Sequence, residues 1–281
     1  MTMKKWAAIG STALALLSGQ AHAGKILVPA YFYPGAGLSY WDALTAAAPQ
    51  ASITAIMNPE NGPGLARNAD YTAAINAFRG AGGQLIGYVH TGYGSRDIDL
   101  VKADISRYAS FYQVEGFFVD EMSNLGSGLP YFQALYDHIK GLDSSYRVFG
   151  NPGIGTLESY LSVADTLVTF EGPPTTSALT PFGYDIHGEP DAWARNYPAE
   201  RFGHLIYGVA DASTMQSLIA LAASRNAGYV YITDDGLPNP WDTLPAYWNA
   251  EVAAFSVPEP ATHVLFGAGL ALAALARRRR A

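Results

Sequence analysis

Gly116-Phe117-Phe118-Val119-Asp120-Glu121 and Leu167-Val168-Thr169-Phe170-Glu171-Gly172 are two short apolar runs that each finish on a carboxylate. Ionised groups beside an apolar core cost free energy unless they are paired. Strands that end this way therefore point to chemistry rather than stability. In a parallel α/β architecture the carboxyl ends of the strands are where active sites are built.

Working outward from these two runs, comparable strands are expected at Lys25–Tyr33, Ser52–Asn58, Gln84–His90, Glu115–Asp120, Arg147–Asn151, Thr166–Glu171, His204–Gly208 and Tyr229–Asp234. Helical patterns fall between them at Trp41–Ala47, Tyr71–Arg79, Asp97–Tyr112, Tyr131–Gly141, Thr156–Val163, Asp191–Asn196 and Thr214–Asn226, with Trp241–Phe255 as the eighth. Gly80, Gly82, Gly83, Gly141 and Gly228 stand where helices should stop. Eight strand–helix units close into a (β/α)8 TIM-type barrel of one domain. A doubly wound open sheet is the alternative, but the first strand leads into Tyr31-Phe32-Tyr33-Pro34-Gly35 rather than a glycine-rich phosphate loop. The longest irregular segment, 172–188, should lie over the barrel mouth.

Alternation along a strand places Phe117 with Val119 and Phe118 with Asp120; in the other run it places Val168 with Phe170 and Thr169 with Glu171. If the Val/Phe sets meet the helices, Asp120 and Glu171 both point to the barrel axis. Glu121 then faces away unless the strand has already turned. Ile86, Tyr88 and His90 share one face, which brings His90 near the mouth.

Both ends of the chain carry separate signals. Lys4 and Lys5, the apolar stretch from Trp6 to Leu17 and Ala21-His22-Ala23 read as a secretory signal peptide over 1–23, cleaved after Ala23. Val257-Pro258-Glu259-Pro260, an apolar run from Ala261 to Ala276 and Arg277 to Arg280 follow the domain. These three parts resemble the PEP-CTERM sorting signal of Gram-negative bacteria, over 257–281. The signal peptide implies signal peptidase as a processing partner, and an apolar run of 16 residues, short of a comfortable span, suits transient membrane anchoring. The resemblance implies an exosortase-type enzyme and delivery to the cell surface or an extracellular matrix. A simple membrane tail is the alternative.

The domain between, 24–256, carries 11 basic against 23 acidic residues, a net charge near −12. A surface so acidic argues against nucleic acid and suits a neutral or cationic polymer. The absence of cysteine excludes disulfides, thiolate metal sites and a cysteine nucleophile. Neither HExxH nor GxSxG spacing occurs, so a metal hydrolase or a serine elbow is not expected, and no cofactor is implied.

Asp120, Glu121 and Glu171 are the candidate catalytic residues. Glycosidic cleavage needs an acid for the leaving oxygen and a second carboxylate on the opposite face of the sugar. Asp120 is read as nucleophile or base and Glu171 as acid, with the roles open to reversal. Glu121, next to Asp120, should hold one proton in the cluster by like-charge repulsion. Tyr31, Tyr33, Tyr88 and Tyr93 offer stacking faces and hydroxyls, as do Tyr40, Trp41 and Trp241. Asn58, His90 and Asn151 are candidate hydrogen-bonding residues. Asp234, with Asp235, could bind a basic amino sugar or cap the following loop.

Together, 27–34 (Leu-Val-Pro-Ala-Tyr-Phe-Tyr-Pro), 57–64 (Met-Asn-Pro-Glu-Asn-Gly-Pro-Gly), Gly87-Tyr88-Val89, Gly92-Tyr93-Gly94, 116–121, Asn151-Pro152-Gly153 and Phe170-Glu171 resemble the spherulation-specific family 4, or spherulin 4-like, proteins. That family is similar to glycoside hydrolase family 135. The resemblance implies a (β/α)8 barrel that cleaves a galactosamine-containing polysaccharide, with acids falling on Asp120, Glu121 and Glu171. The expected activity is a glycoside hydrolase acting on an amino-sugar exopolysaccharide, as in a biofilm. The alternative is a non-catalytic polysaccharide-binding or matrix protein on the same barrel.

Overall fold

The computed structural model describes residues 24–35 and 40–256. The expected signal peptide (1–23) and apolar sorting helix (257–281) lie outside the described residues. Among the described residues, no helix is long and apolar enough to cross a membrane.

Eight parallel strands close in sequence order into a barrel: β1 Lys25–Ala30, β2 Ile53–Met57, β3 Gln84–His90, β4 Gly116–Asp120, β5 Arg147–Gly150, β6 Thr166–Gly172, β7 Phe202–Ile206 and β8 Tyr229–Ile232. The helices are α1 Tyr40–Ala47, α2 Ala69–Gly80, α3 Ile98–Phe111, α4 Leu129–Leu142, α5 Tyr184–His187, α6 Ala212–Ser224 and α7 Trp248–Phe255. Their inner faces follow helical spacing: Val101, Ile105 and Tyr108 are buried on α3, and Phe132, Leu135 and Ile139 on α4. Asn68, Asp97 and Asp211 cap α2, α3 and α6, each accepting from backbone N–H groups of the first turn. Gly87 leaves room for the Tyr108 ring, which would stand 2.8 Å from any Cβ there.

Several elements are shorter than expected. Strand β1 stops at Ala30 and β8 at Ile232, where the Thr233 hydroxyl accepts from Asp235 N at 3.1 Å and turns the chain. The expected eighth helix, from Trp241, begins only at Trp248, because Pro245 supplies no backbone donor within the stretch. After β5 and before β7 the expected helices contract to 3-10 turns at Glu158–Ser162 and Ala192–Asn196, neither with a side-chain N-cap. Strand β7 begins at Phe202, two residues before its expected start at His204.

The inward and outward faces match the expected alternation on β4. Phe117 meets Tyr108 of α3 across 6.3 Å, while Phe118 stacks on Tyr88 inside the barrel at 6.4 Å. On β6 the register with β7 shifts between Val168 and Phe170. This bulge takes Thr169 out of the alternation, and its hydroxyl lies 3.2 Å from His204 Nε2. Phe170 still packs outward on Tyr184 at 4.8 Å, so Glu171 turns inward.

The floor of the barrel is closed by Arg147, whose guanidinium lies over the Phe149 and Tyr229 rings and donates to the Tyr229 hydroxyl and to Thr166 Oγ1. Helix α7 returns antiparallel to β8, as helices do in this fold. Gly24 and Ser256 therefore both lie on the floor side, opposite the acids.

Candidate active site

Three adjacent strands deliver the central group. Asp120 ends β4, Asn151 follows β5 and Glu171 sits near the end of β6. Asn151 Nδ2 donates to Asp120 Oδ1 and to Glu171 Oε2, both at 2.7 Å. Its Oδ1 accepts from Gly153 N at 2.9 Å, which fixes which end of the amide faces the acids. The second Asp120 oxygen, Oδ2, accepts from the Tyr88 hydroxyl at 2.8 Å.

Glu121 does not face away. Its backbone takes a left-handed φ of 53°, rare for a residue with a Cβ, and the side chain swings back to the mouth. The segment after β3 holds this corner. Gly92 N donates to Glu121 Oε2 at 2.9 Å and Tyr93 N to Glu121 O at 2.8 Å. The buried Thr91 hydroxyl lies 2.9 Å from Asp120 O and 2.7 Å from Glu121 O, one hydrogen serving both carbonyls. Strain of this kind collects at functional sites.

The three acids open into a cavity of about 530 Å³ that is walled also by Tyr93, Asn151, Phe182, His187, Tyr207 and Trp241. Burial raises the pKa of Glu171, and the neighbouring Asp120 charge adds to it; hydrogen bonds from Asn151 and Trp241 offset part, leaving it at about 7. Burial likewise leaves the Asp120 pKa raised, with hydrogen bonds from the Glu121 backbone, Tyr88 and Asn151 offsetting only part of the rise. The like charge of Glu121 adds to the rise at Asp120, and that of Asp120 adds to the rise at Glu171.

Among the other candidates, Tyr31, Tyr88, Tyr93 and Asn151 gather at the acids. Tyr31 meets the Tyr88 ring edge-on at 5.4 Å, and burial followed by the charge of Asp120 raises its hydroxyl pKa. Tyr93 is exposed at the rim. His90 Nδ1 lies 3.8 Å from Glu121 Oε2, but its ring lines a neighbouring cavity. Tyr33, Asn58 and Asp234 are not at the acids. The Tyr33 hydroxyl donates to Asp70 Oδ2 at 2.5 Å beside α2, and Asn58 Oδ1 accepts from Gly62 N at 2.9 Å within its own turn. Asp234 accepts from Ala246 N at 3.2 Å, which is the loop-capping alternative. Trp41 is core, its indole donating to Phe32 O at 3.1 Å.

Phe182 and His187 belong to the irregular segment expected over the mouth, although neither residue is distinguished in the sequence. Thr91 and Tyr207 carry no sequence signal beyond following a strand. Among the described residues, no three His, Asp or Glu side chains are grouped to hold a metal ion.

Fold and site together define a closed (β/α)8 barrel with a clustered-carboxylate mouth. The chain belongs to spherulation-specific family 4, which residues 25–255 match, and residues 256–280 match the PEP-CTERM protein-sorting motif. It is 32% identical over 234 residues to Spherulin-4 of Physarum polycephalum, covering 82% of this chain and 69% of that protein. Among solved structures it is similar to Aspergillus clavatus Sph3, crystallised in complex with GalNAc: 26% identity, TM-score 0.70, 84% of this chain and 98% of the other. An FMN-binding β-glucuronidase from Facaelibacterium prausnitzii L2-6 shares the fold alone, at 10% identity and a TM-score of 0.52 over 85% of this chain and 45% of that one.

Proposed function

We propose that this protein is an exported glycoside hydrolase that cleaves an amino-sugar-containing, galactosaminoglycan-like exopolysaccharide. The observation that carries this reading is the shared donor: Asn151 holds one oxygen of Asp120 and one of Glu171 within twice 2.7 Å of each other. Carboxyl groups that share one donor stand close enough to act on one glycosidic bond, and we read them as the pair of a retaining double displacement. The likeness to a GalNAc-bound relative supports an amino sugar.

In this reading Glu171 gives its proton to the glycosidic oxygen as the C1–O bond breaks. Asp120 Oδ1 or Oδ2 forms a bond to C1, giving a glycosyl ester. Glu171, now ionised, takes a proton from water, whose oxygen attacks C1 and releases Asp120. The Asn151 and Tyr88 hydrogen bonds spread the charge of Asp120 while it waits. Glu121 faces the same space and contacts the sugar. The aromatic walls Tyr93, Phe182 and Trp241 offer faces to sugar C–H groups.

A signal peptide over 1–23, PEP-CTERM sorting with exosortase-type processing, and transient anchoring through the terminal segment would carry the enzyme to the cell surface or matrix of a Gram-negative bacterium, where such a polymer lies. Incubating the protein with acetylated and de-N-acetylated galactosaminoglycan and counting new reducing ends tests the reading. Asp120→Asn and Glu171→Gln should each lose about 10²-fold or more. A loss under about tenfold rejects the assignment, and binding without new ends favours a matrix-binding protein.

A further inference from the structure

A second cavity lies beside the acids on the same face of the barrel. It measures about 280 Å³ and is formed by the loop after β2, the end of β3, Arg96 ahead of α3, and Asp104 and Arg107 in the middle of α3. The wall between the two cavities is the His90–Glu121 contact: Glu121 lines the first and His90 the second, with 3.8 Å between them. The loop after β3 also serves both, presenting Tyr93 to one side and Arg96 to the other.

The second cavity has rigid polar walls. Asp104, with a side chain 10% exposed, accepts from Arg96 Nη2 at 2.6 Å and from Arg107 Nη1 at 2.8 Å. Arg96 is held again by the His90 carbonyl at 3.1 Å. The facing loop turns on Gly62 and Gly64, with φ values of 151° and 76°, and brings Glu60 to the lining. Two guanidinium groups and two carboxylates nearly cancel, so the cavity suits neither a strong anion nor a strong cation. Fixed donors and acceptors around a small hollow suit an uncharged polyol.

We propose that this cavity is an additional carbohydrate subsite, holding a sugar unit of the polymer that continues from the acid cavity across the His90–Glu121 wall. The inference rests on the glycan reading of the main site. Acids lie at the edge of the large cavity, which extends from them toward the loops after β5 to β8; the chain on their other side must cross toward β2 and β3. Glu60 and Arg107 bind hydroxyl groups of that unit, and both are surface side chains outside the catalytic group.

Binding of galactosamine and N-acetylgalactosamine oligomers of increasing length to the full chain carrying Glu171→Gln, by calorimetry, tests the subsite. Affinity should rise with length. Arg107→Ala and Glu60→Ala should each weaken the longer oligomers by about fivefold and leave the shortest unchanged. Length-dependent binding untouched by both substitutions overturns the subsite alone, as does an equal loss at every length. If no oligomer of either kind binds, the glycan reading of the whole face falls, and the subsite with it.

Discussion

Asp120 and Glu171 share one hydrogen-bond donor, the side-chain nitrogen of Asn151, 2.7 Å from each. Because a donor favours the charged form of its acceptor, this nitrogen lowers the pKa of both acids against the effect of burial. Replacing Asn151 with Ala should therefore move both limbs of the pH–rate profile to higher pH. It should also cut kcat/KM by about 10²-fold through lost positioning. A profile that falls in height without moving would show that Asn151 acts only on shape.

The proton on Glu171 has a stability consequence of definite sign. Its folded pKa of about 7 exceeds the ordinary 4.5, so between those values the native state holds a proton that the unfolded chain has released. Stability from this group is present below about pH 4.5 and is lost as the pH rises to 7. Glu171→Gln should raise Tm at pH 8 by more than at pH 4, measured by thermal denaturation at both. In the same range activity of the unsubstituted protein should decline above pH 7, as the acid loses its proton.

Thr91 fastens the turned corner that carries two of the acids. Thr91→Val keeps the volume but removes the hydroxyl, and the left-handed Glu121 loses one of its restraints. We expect kcat/KM to fall about tenfold, the worth of one hydrogen bond, and Thr91→Ser to restore most of it. Equal activity of the Val and Ser variants would sink this role.

Which parts of this site can be read from the sequence follows from what fixes each part. Asp120 and Glu171 are legible because a strand's alternation sets which way its last residue points, and the apolar partners Phe117 and Phe170 identify the other face. The turn at Glu121 is not, since it is a backbone conformation held by Thr91, Gly92 and Tyr93 from another unit. The same holds for Asn151, legible as a polar strand end, though nothing local shows that it touches two acids. Tyr33 and Asn58 follow strands as the residues gathered at the acids do, yet each finds a partner nearby, Asp70 and Gly62, and is drawn away. The eightfold count of strands is legible; the contraction of two helices to 3-10 turns is not, because propensity says little about short segments without caps.

A buried acid away from the site marks a seam in the barrel. Pairing of β1 with β8 stops at Ile26 and Val230, so Ile232 N has no strand partner there and instead donates to Glu251 Oε1 at 2.9 Å. Burial raises the Glu251 pKa well above its ordinary value, and the hydrogen bond from Ile232 N offsets part of that. Glu251→Leu should cost about 1–3 kcal/mol by orphaning that N–H, and Glu251→Gln, which keeps an acceptor, should cost less. Urea unfolding of the two variants reads the difference directly.

The last helix brings the chain out beneath the barrel, away from the acids, and the matched sorting motif starts where that helix stops. Any attachment through those residues would leave the opening turned toward the surrounding medium rather than pressed against its support. Long polymers could then thread past the acids unhindered, and the reach of a tethered molecule would be set by the strand it grips instead of by diffusion of the protein itself.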